Sequence, residues 1–162
     1  MKVKKGQYVL HLQHGVGKVL SIKSRKFYGQ PEASYVELYF QREKMTLTLL
    51  ESDLSDFSRP LISQEEAYDL LDQVKGWDGK AKTQWKQRSN AHQAAIESGQ
   101  PFECAKVIKA LAQMREENSL RPCDLAHLNK SSELLTDELA CTLNKPVSQA
   151  QKLISQAIGA PL

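Results

Sequence analysis

The chain has 162 residues and a net charge of +3, with 41% hydrophobic and 25% charged residues. These proportions are typical of a soluble globular protein with one or two small domains. Its apolar runs are far shorter than the ~18 residues of a membrane span, so we expect a cytoplasmic protein without a membrane segment. Residues 1–61 carry ten basic and six acidic side chains, a net +4, whereas residues 62–162 carry twelve and thirteen, a net −1. By charge alone, neither part is a strongly basic nucleic-acid domain.

The first third of the chain has the two-residue periodicity of β-strands. Four short segments are rich in β-branched and aromatic residues and are separated by turn residues: 7–12, 18–24, 34–40 and 45–50. In the third segment the apolar residues Val36, Leu38 and Phe40 alternate with Tyr35, Glu37 and Tyr39. This spacing predicts an antiparallel sheet that curls into a small β-barrel.

The remainder of the chain has helical periodicity. Ser63 and Glu66 have the spacing of a capping box at a helix start. Proline and glycine punctuation then predicts five helices, at about 63–76, 83–98, 101–120, 122–143 and 146–159. In the fourth, Leu125, Leu128 and Leu135 belong to the predicted apolar stripe. A strand block followed by a helix block predicts an α+β protein of two domains, with the boundary near Pro60.

The stretch "HLQHGVG", His11 to Gly17, is a candidate metal or phosphate site. It lacks the long Gly-rich loop and the Lys-Ser/Thr pair of a phosphate-binding loop. No cysteine or carboxylate cluster joins His11 and His14 to complete a metal site. A turn between two strands is the simpler interpretation, because Gly15 and Gly17 permit positive φ or close packing. We expect no metal and no cofactor.

No nucleophile arrangement stands out, since the chain has neither a Gly-x-Ser-x-Gly elbow nor a Cys–His signature. Its three cysteines are scattered and odd in number, which suits small buried thiols in a reducing compartment. We therefore expect that the protein is not an enzyme.

Trp85, in "TQWKQRSN", is a large aromatic residue among polar ones. One interpretation places it in the helical core. The other makes it an exposed ring that pushes against or between bases, while neighbouring cations hold phosphates. The predicted DNA contacts under this second interpretation are Lys82, Trp85, Lys86 and Arg88.

The order of these features resembles the CarD/CdnL/TRCF family of bacterial RNA polymerase-binding proteins. The opening "KGQYVLHLQHGVGKVLSI" is similar to the family's Val-rich strand, His-Gly-x-Gly and second Val-rich strand. The segments "YVELYF" and "MTLTL" resemble the next two strands, and "WKQR" resembles its Trp-x-x-Arg. The helices that follow, up to "ELLTDELA", extend the resemblance over nearly the whole chain.

The resemblance implies a Tudor-like barrel, residues 1–60, that docks on the RNA polymerase β subunit. It implies a helical domain, residues 61–162, that meets promoter DNA at the upstream edge of the melted region. Trp85 matches the tryptophan that wedges into the minor groove, Arg88 its accompanying arginine, and Arg25 an arginine that faces the polymerase. Such proteins stabilise the open promoter complex, without chemistry, in the cytoplasm at the nucleoid.

We expect the barrel to dock through an exposed strand edge that extends a sheet in the polymerase. The predicted polymerase contacts are Arg25, Lys26, Tyr39 and Arg42, of which only the first has a match in the family. No heptad pattern is sustained long enough for a coiled coil, so we expect a monomer.

Several positions depart from the family pattern. Ser89-Asn90 stands where the family has Tyr and a basic residue, and residues 124–126 lack the usual Lys or Arg. Thr48 and Leu50 stand where many members carry Arg or Lys and Pro. Fewer phosphate contacts weaken DNA binding, so we expect promoter DNA to be bound weakly except when the protein is tethered. The alternative is a protein-only adaptor, whose near-neutral helical domain binds another protein.

Overall fold

The structure, a computed structural model, describes residues 1–162. The chain divides into two compact units, Met1–Leu61 and Ile62–Leu162, called here the sheet unit and the helical unit. No helix in either unit has both the length and the apolar surface needed to cross a lipid bilayer.

The sheet unit contains five antiparallel strands in the spatial order β4-β3-β2-β1-β5. Their bounds are β1 Tyr8–His11, β2 Gly15–Arg25, β3 Ala33–Phe40, β4 Met45–Leu50 and β5 Ser58–Pro60. A 3₁₀ turn, Glu51–Asp53, and a short helix, α1 Leu54–Phe57, precede β5. The four predicted strands are confirmed. The fifth was not predicted, because three residues are too few to show an alternating pattern.

The sheet is open, so the prediction of a closed barrel is wrong in this respect. Strands β4 and β5 lie at opposite edges and do not pair with each other. Strand β5 has only three residues, and its Pro60 has no backbone N–H to donate to another strand. A register shift between Val19 and Ser21 in the β2–β3 ladder is an irregularity of the β-bulge type, which increases the local twist of the sheet.

One face of β3 forms the centre of the sheet unit's core. Val36, Leu38 and Phe40 are fully buried, whereas the alternating residues are partly exposed, as the pattern predicts. Val9 of β1 and Leu54 of α1 also belong to this cluster, together with Val3 and Val19. Each such side chain contributes roughly 1.5–3 kcal/mol through burial, so this small unit depends on a few residues.

The glycine and histidine stretch forms the turn between β1 and β2, which confirms the prediction. Gly15 has a φ of +82°, a conformation that favours glycine. Nδ1 of His11 accepts hydrogen bonds from the backbone N–H groups of Gln13 and His14, at 3.2 and 3.3 Å. The side chain of His14 instead reaches Glu43, with 2.8 Å between Nδ1 and Oε2.

Gly17 lies in β2 just after this turn and packs closely on the core, because a Cβ added there would lie 2.7 Å from Cε1 of Phe40. We predict that Gly17→Ala lowers the unfolding free energy of the sheet unit by about 1–3 kcal/mol, since overpacking displaces the ring. Amide hydrogen exchange in β2 and β3 measures the loss. The control is Gly76→Ala, where an added Cβ meets nothing within 4 Å. Equal protection of these amides in both variants would contradict the prediction.

The helical unit contains the five predicted helices. Their bounds are α2 Gln64–Gly76, α3 Trp85–Glu97, α4 Pro101–Glu116, α5 Pro122–Thr142 and α6 Val147–Ile158. Helices α4 and α5 form the central pair, and α3 packs against both of them. The predicted capping box is present, since the Ser63 hydroxyl accepts from the backbone of Glu66 and the Glu66 carboxylate accepts from the backbone of Ser63.

Two details of the helical prediction are wrong. Helix α4 ends at Glu116, four residues before Leu120, because Asn118 takes a left-handed φ of +55°. Leu125, expected in the apolar stripe of α5, is 47% exposed. Its neighbour Asp124 is buried instead, which an apolar pattern does not predict.

A buried lysine holds the C-terminal end of α2. Lys109 of α4 is only 8% exposed. Its Nζ donates to the carbonyl oxygens of Val74, Lys75 and Trp77, at distances between 2.5 and 3.1 Å. One ammonium group therefore satisfies carbonyls that the end of a helix leaves without intrahelical partners.

We predict that Lys109→Met lowers the unfolding free energy of the helical unit by about 2–3 kcal/mol, because hydrogen bonds from a charged group are lost inside the fold. Urea denaturation followed by tryptophan fluorescence reports on this unit, since Trp77 and Trp85 both lie in it. Lys106→Met is the matched control, because Lys106 contacts only Glu103 and the Phe102 ring, both on the same helix and at its surface. We expect it to change stability by less than about 0.5 kcal/mol. Equal effects of the two variants would overturn the prediction.

Candidate functional site

Trp85 is the first residue of α3, and its side chain is 40% exposed. Two cations flank the indole ring: Nζ of Lys86 lies 5.7 Å from the ring centroid, and Cζ of Arg121 lies 5.2 Å from it. Both distances are within the range of cation–π attraction. The interpretation of Trp85 as a core residue is therefore excluded. An exposed aromatic ring between two positive charges remains.

Arg88 lies one turn further along α3, but it is placed quite differently. Its side chain is 3% exposed, and its Nε and Nη2 donate to the two carboxylate oxygens of Asp124, at 2.9 and 2.8 Å. Its Nη1 donates to the carbonyl oxygens of Lys82 and Thr83, at 3.0 and 3.1 Å. This guanidinium holds the start of α3 in place, and its donors are engaged inside the protein.

The Asp124 carboxylate links the starts of two helices. It is fully buried in the third position of α5 and also accepts from the backbone N–H of Arg121, at 3.0 Å. The same carboxylate thus holds Arg88 of α3 and the residue that caps α5. As a result, Trp85 and Arg121 lie side by side although they are 36 positions apart in the sequence.

The ion pair stabilises the charged forms of both partners. The hydrogen bonds from Arg88 are the main reason that the pKa of Asp124 lies below its usual range. The hydrogen bond to Asp124 likewise raises the pKa of Arg88. Both groups therefore keep their charges at neutral pH.

His92 lies one turn beyond Arg88 and is buried. Its ring meets that of His127 on α5 edge to face, with 6.3 Å between the centroids, and the Nδ1 atoms of both rings are buried without a hydrogen-bond partner. Burial, reinforced by His127, lowers the pKa of His92 to about 4. The folded helical unit therefore contains a neutral imidazole at position 92.

This histidine makes the stability of the helical unit depend on pH. Between about pH 6.5 and 4 the unfolded chain binds a proton at His92 and the folded chain does not, so stability falls as the pH falls. We predict a loss of about 1–3 kcal/mol over this window that is absent in His92→Leu. Urea denaturation at a series of pH values, followed by tryptophan fluorescence, measures it. His14→Leu, in the sheet unit, is the control and should keep the wild-type slope. An unchanged slope in His92→Leu would contradict the assignment.

The remaining predicted DNA contacts are exposed. Lys82 lies just before α3, and Lys86 follows Trp85 within it. Arg121 was missed by the sequence prediction, because it follows Trp85 by 36 positions and precedes the proline that opens α5. Only the pairing of α3 with α5 brings it to the ring.

The predicted polymerase contacts fall into two groups at opposite ends of the β2–β3 ladder. Arg25 ends β2 opposite Ala33, whereas Tyr39 pairs with Lys18 at the other end. Six residues of strand separate these ends, or about 20 Å. Lys26 belongs to the first group and Arg42, in the β3–β4 turn, to the second. The structure therefore does not bring the four residues together.

The Arg25 end also presents aromatic residues that the sequence prediction did not include. Tyr28 is fully exposed, and Phe27 is about half exposed with its ring against Tyr35. Arg25 itself is partly exposed and donates to Glu37 at 2.9 Å. Exposed aromatic residues beside an arginine are typical of the anchors of protein interfaces.

Comparison with known proteins assigns a class to this fold. The model of the CarD-like/TRCF RID domain matches residues 3–56, and the model of the CarD C-terminal domain matches residues 68–155, more than half of the chain. The chain belongs to the CarD family and so has a transcription-associated, RNA polymerase-interacting role.

A particular relative is known from Bacillus subtilis (strain 168), where it is named "Putative transcription factor YdeB". The two proteins are 24% identical over 135 residues, which cover 83% of this chain and 88% of the relative. The similarity therefore includes both units.

Proposed function

We propose that this protein docks on the β subunit of RNA polymerase through its sheet unit and stabilises the open promoter complex through Trp85. The observation that carries the proposal is the exposed indole at the start of α3, between Lys86 and Arg121. Family membership supports the polymerase-interacting role. The protein would act where the bacterial polymerase meets DNA, in the cytoplasm at the nucleoid, and would catalyse no reaction.

The wedge is an exposed apolar ring that its own helix holds in place. Inserting such a ring at a base step in the minor groove costs a few kcal/mol of unstacking, which is lowest where the duplex already ends in a melted region. Lys86 and Arg121 flank the ring and would meet the phosphates on either side. Lys82 would add a further phosphate contact. The ring would then oppose closure of the bubble.

Arg88 would contribute by positioning and not by touching phosphate. Its donors are engaged by Asp124 and by the carbonyl oxygens of Lys82 and Thr83. These hydrogen bonds of Arg88 would fix the orientation of α3, so that Trp85 points outward beside Arg121. We assign it the role of a positioning residue for the wedge.

Docking would use the Arg25 end of the sheet unit. Arg25, Lys26, Phe27 and Tyr28 lie together there and combine cations with exposed aromatic rings. Strand β4 is a sheet edge, paired with β3 alone, and could add to a sheet in the polymerase. Tyr39 and Arg42, at the other end of the ladder, would then contact the rim of the partner.

Tethering makes weak DNA affinity sufficient. The helical unit has a net charge of −1, so its DNA affinity in isolation is expected to be low. Once the sheet unit is bound, the helical unit meets the promoter at an effective concentration on the order of millimolar. The contact between the helical unit and DNA is then intramolecular, so it avoids the entropic cost of a second association step.

Trp85→Ala tests the proposal in an assay of open-complex lifetime with polymerase and a promoter fragment. We predict a lifetime about fivefold shorter or more, since stacking of an aromatic side chain on a base contributes about 1–3 kcal/mol. Binding to the polymerase should be unchanged, because Trp85 lies outside the sheet unit. Tyr68→Ala, which removes another exposed aromatic residue of the helical unit, is the control. Equal lifetimes with wild type and Trp85→Ala would refute the wedge.

A second candidate function is a protein-only adaptor. The burial of Arg88 and the net charge of −1 favour it, because both reduce the number of phosphates that the helical unit can bind. On this account Trp85 would be an anchor for another protein. Retained polymerase binding with an unchanged open-complex lifetime in Trp85→Ala is the result that it predicts.

A further inference from the structure

A cleft of about 300 Å³ lies within the helical unit, between the segment that follows α2 and the faces of α3 and α4. Trp77 and Ala81 line one wall, while Ala91 and Ala95 of α3 and Ala110 of α4 line others. A volume of this size is at the lower end of the range for pockets that hold small molecules. The neighbouring helices present alanines here, which leave the space empty where larger side chains would fill it.

One wall of the cleft is held rigidly. The carbonyl oxygen of Trp77 accepts from Nζ of Lys109, and an added Cβ at Gly79 would overlap the Trp77 ring. The tight fit between residue 79 and the ring fixes the indole against its own loop. A preformed apolar surface of this kind suits a flat or compact apolar group, because binding needs little rearrangement.

The rim of the cleft is positively charged. Lys80 and Lys82 are exposed there, and neither has an acidic partner. Lys106 also lines the cleft, but it is paired with Glu103 at 2.8 Å. Two unpaired cations at the mouth favour a ligand with a negative charge at one end.

His92 also lines the cleft, but its Nδ1 is buried and is not open to a ligand there. The imidazole, which packs against His127 of α5, therefore adds to the wall of the cleft without a hydrogen bond to the ligand.

We propose that this cleft binds a small organic anion, with an aromatic or compact apolar body against Trp77 and the alanines and an anionic head group at Lys80 and Lys82. The head group is a carboxylate or a phosphate ester, since both match the same cations. The cleft shares Arg88 and Lys82 with the hydrogen-bonded start of α3. A bound anion therefore acts on the residues that orient Trp85, and this consequence, unlike the binding itself, rests on the proposed function.

Binding is tested on the full chain carrying Trp85→Phe, in which Trp77 is the sole tryptophan. Phenyl phosphate and benzoate are the probes, and Trp77 emission is the signal. We expect a saturable change with a dissociation constant on the order of millimolar for a probe of roughly ten heavy atoms. Inorganic phosphate and benzyl alcohol, which each supply only one half of the ligand, should bind about tenfold more weakly or not at all.

Two further substitutions in this background locate the site. Ala95→Leu fills the cleft and should abolish the change, whereas Ala94→Leu, at the exposed adjacent position, should leave it intact. Lys80→Gln should weaken both anionic probes severalfold and leave benzyl alcohol unaffected. Should Ala95→Leu fail to fold, as judged by circular dichroism, Ala91→Leu makes the same test.

Three results would overturn the proposal. One is the absence of any saturable change with either probe. Another is an equal response to inorganic phosphate, which would mean that the exposed lysines merely attract anions. The third is a response to DNA alone: a promoter duplex quenches Trp77, Ala95→Leu prevents this quenching, and the small probes have no effect. The cleft would then be a DNA contact. Since the probe arm contains neither DNA nor polymerase, its outcome is independent of the open-complex assay.

Discussion

The buried ion pair between Arg88 and Asp124 is the interaction on which the placement of Trp85 in the helical unit depends. Both side chains are almost fully removed from water, so each charge is tolerable only because the other is present. The geometry is two parallel hydrogen bonds between guanidinium and carboxylate, and the remaining donors and acceptors meet backbone groups. Removing one partner of such a pair typically costs about 3–5 kcal/mol, so the relative placement of α3 and α5 is strongly specified.

This arrangement separates the side chain that fixes the position of α3 from the side chain proposed to contact DNA. Arg88 spends its hydrogen-bonding capacity inside the protein, whereas Trp85, three residues earlier on the same helix, is left exposed between Lys86 and Arg121. An aromatic wedge must be held in one orientation, because a ring that is free to fold back onto the protein surface would contribute little to keeping the bases apart. The net charge of −1 of the helical unit is compatible with this role if the sheet unit supplies the tether.

Much of the fold could be predicted from the sequence, because short-range patterns determine it. Alternation identified β3 around Val36 and Leu38, and capping and proline signals identified the helices. The open sheet could not be predicted, since closure depends on whether the two edge strands meet, and β5 is too short to leave a pattern. The exposure of Leu125 could not be predicted either, because the polar residue Asp124 occupies the neighbouring buried position.

The site was predictable only in part. Trp85 stood out as an aromatic residue in a polar segment, but the pairing of Arg88 with Asp124 across 36 positions leaves no local signal. Arg88 was therefore expected at the surface with the lysines. Arg121 was missed because it reaches the indole only after α3 and α5 pack together. The four predicted polymerase contacts form two separate groups, because Arg25 and Tyr39 lie at opposite ends of the ladder between β2 and β3.

The central claim, that Trp85 meets DNA at the edge of the promoter bubble, is tested most directly by crosslinking. A photoreactive amino acid at position 85 is irradiated in the complete assembly of this protein, RNA polymerase and a promoter fragment. We expect crosslinks to DNA at the upstream edge of the melted region, and fewer of them when Asp124→Asn removes the ion pair that holds α3. Crosslinks that reach only protein, in a complex shown to contain an open bubble, would contradict it.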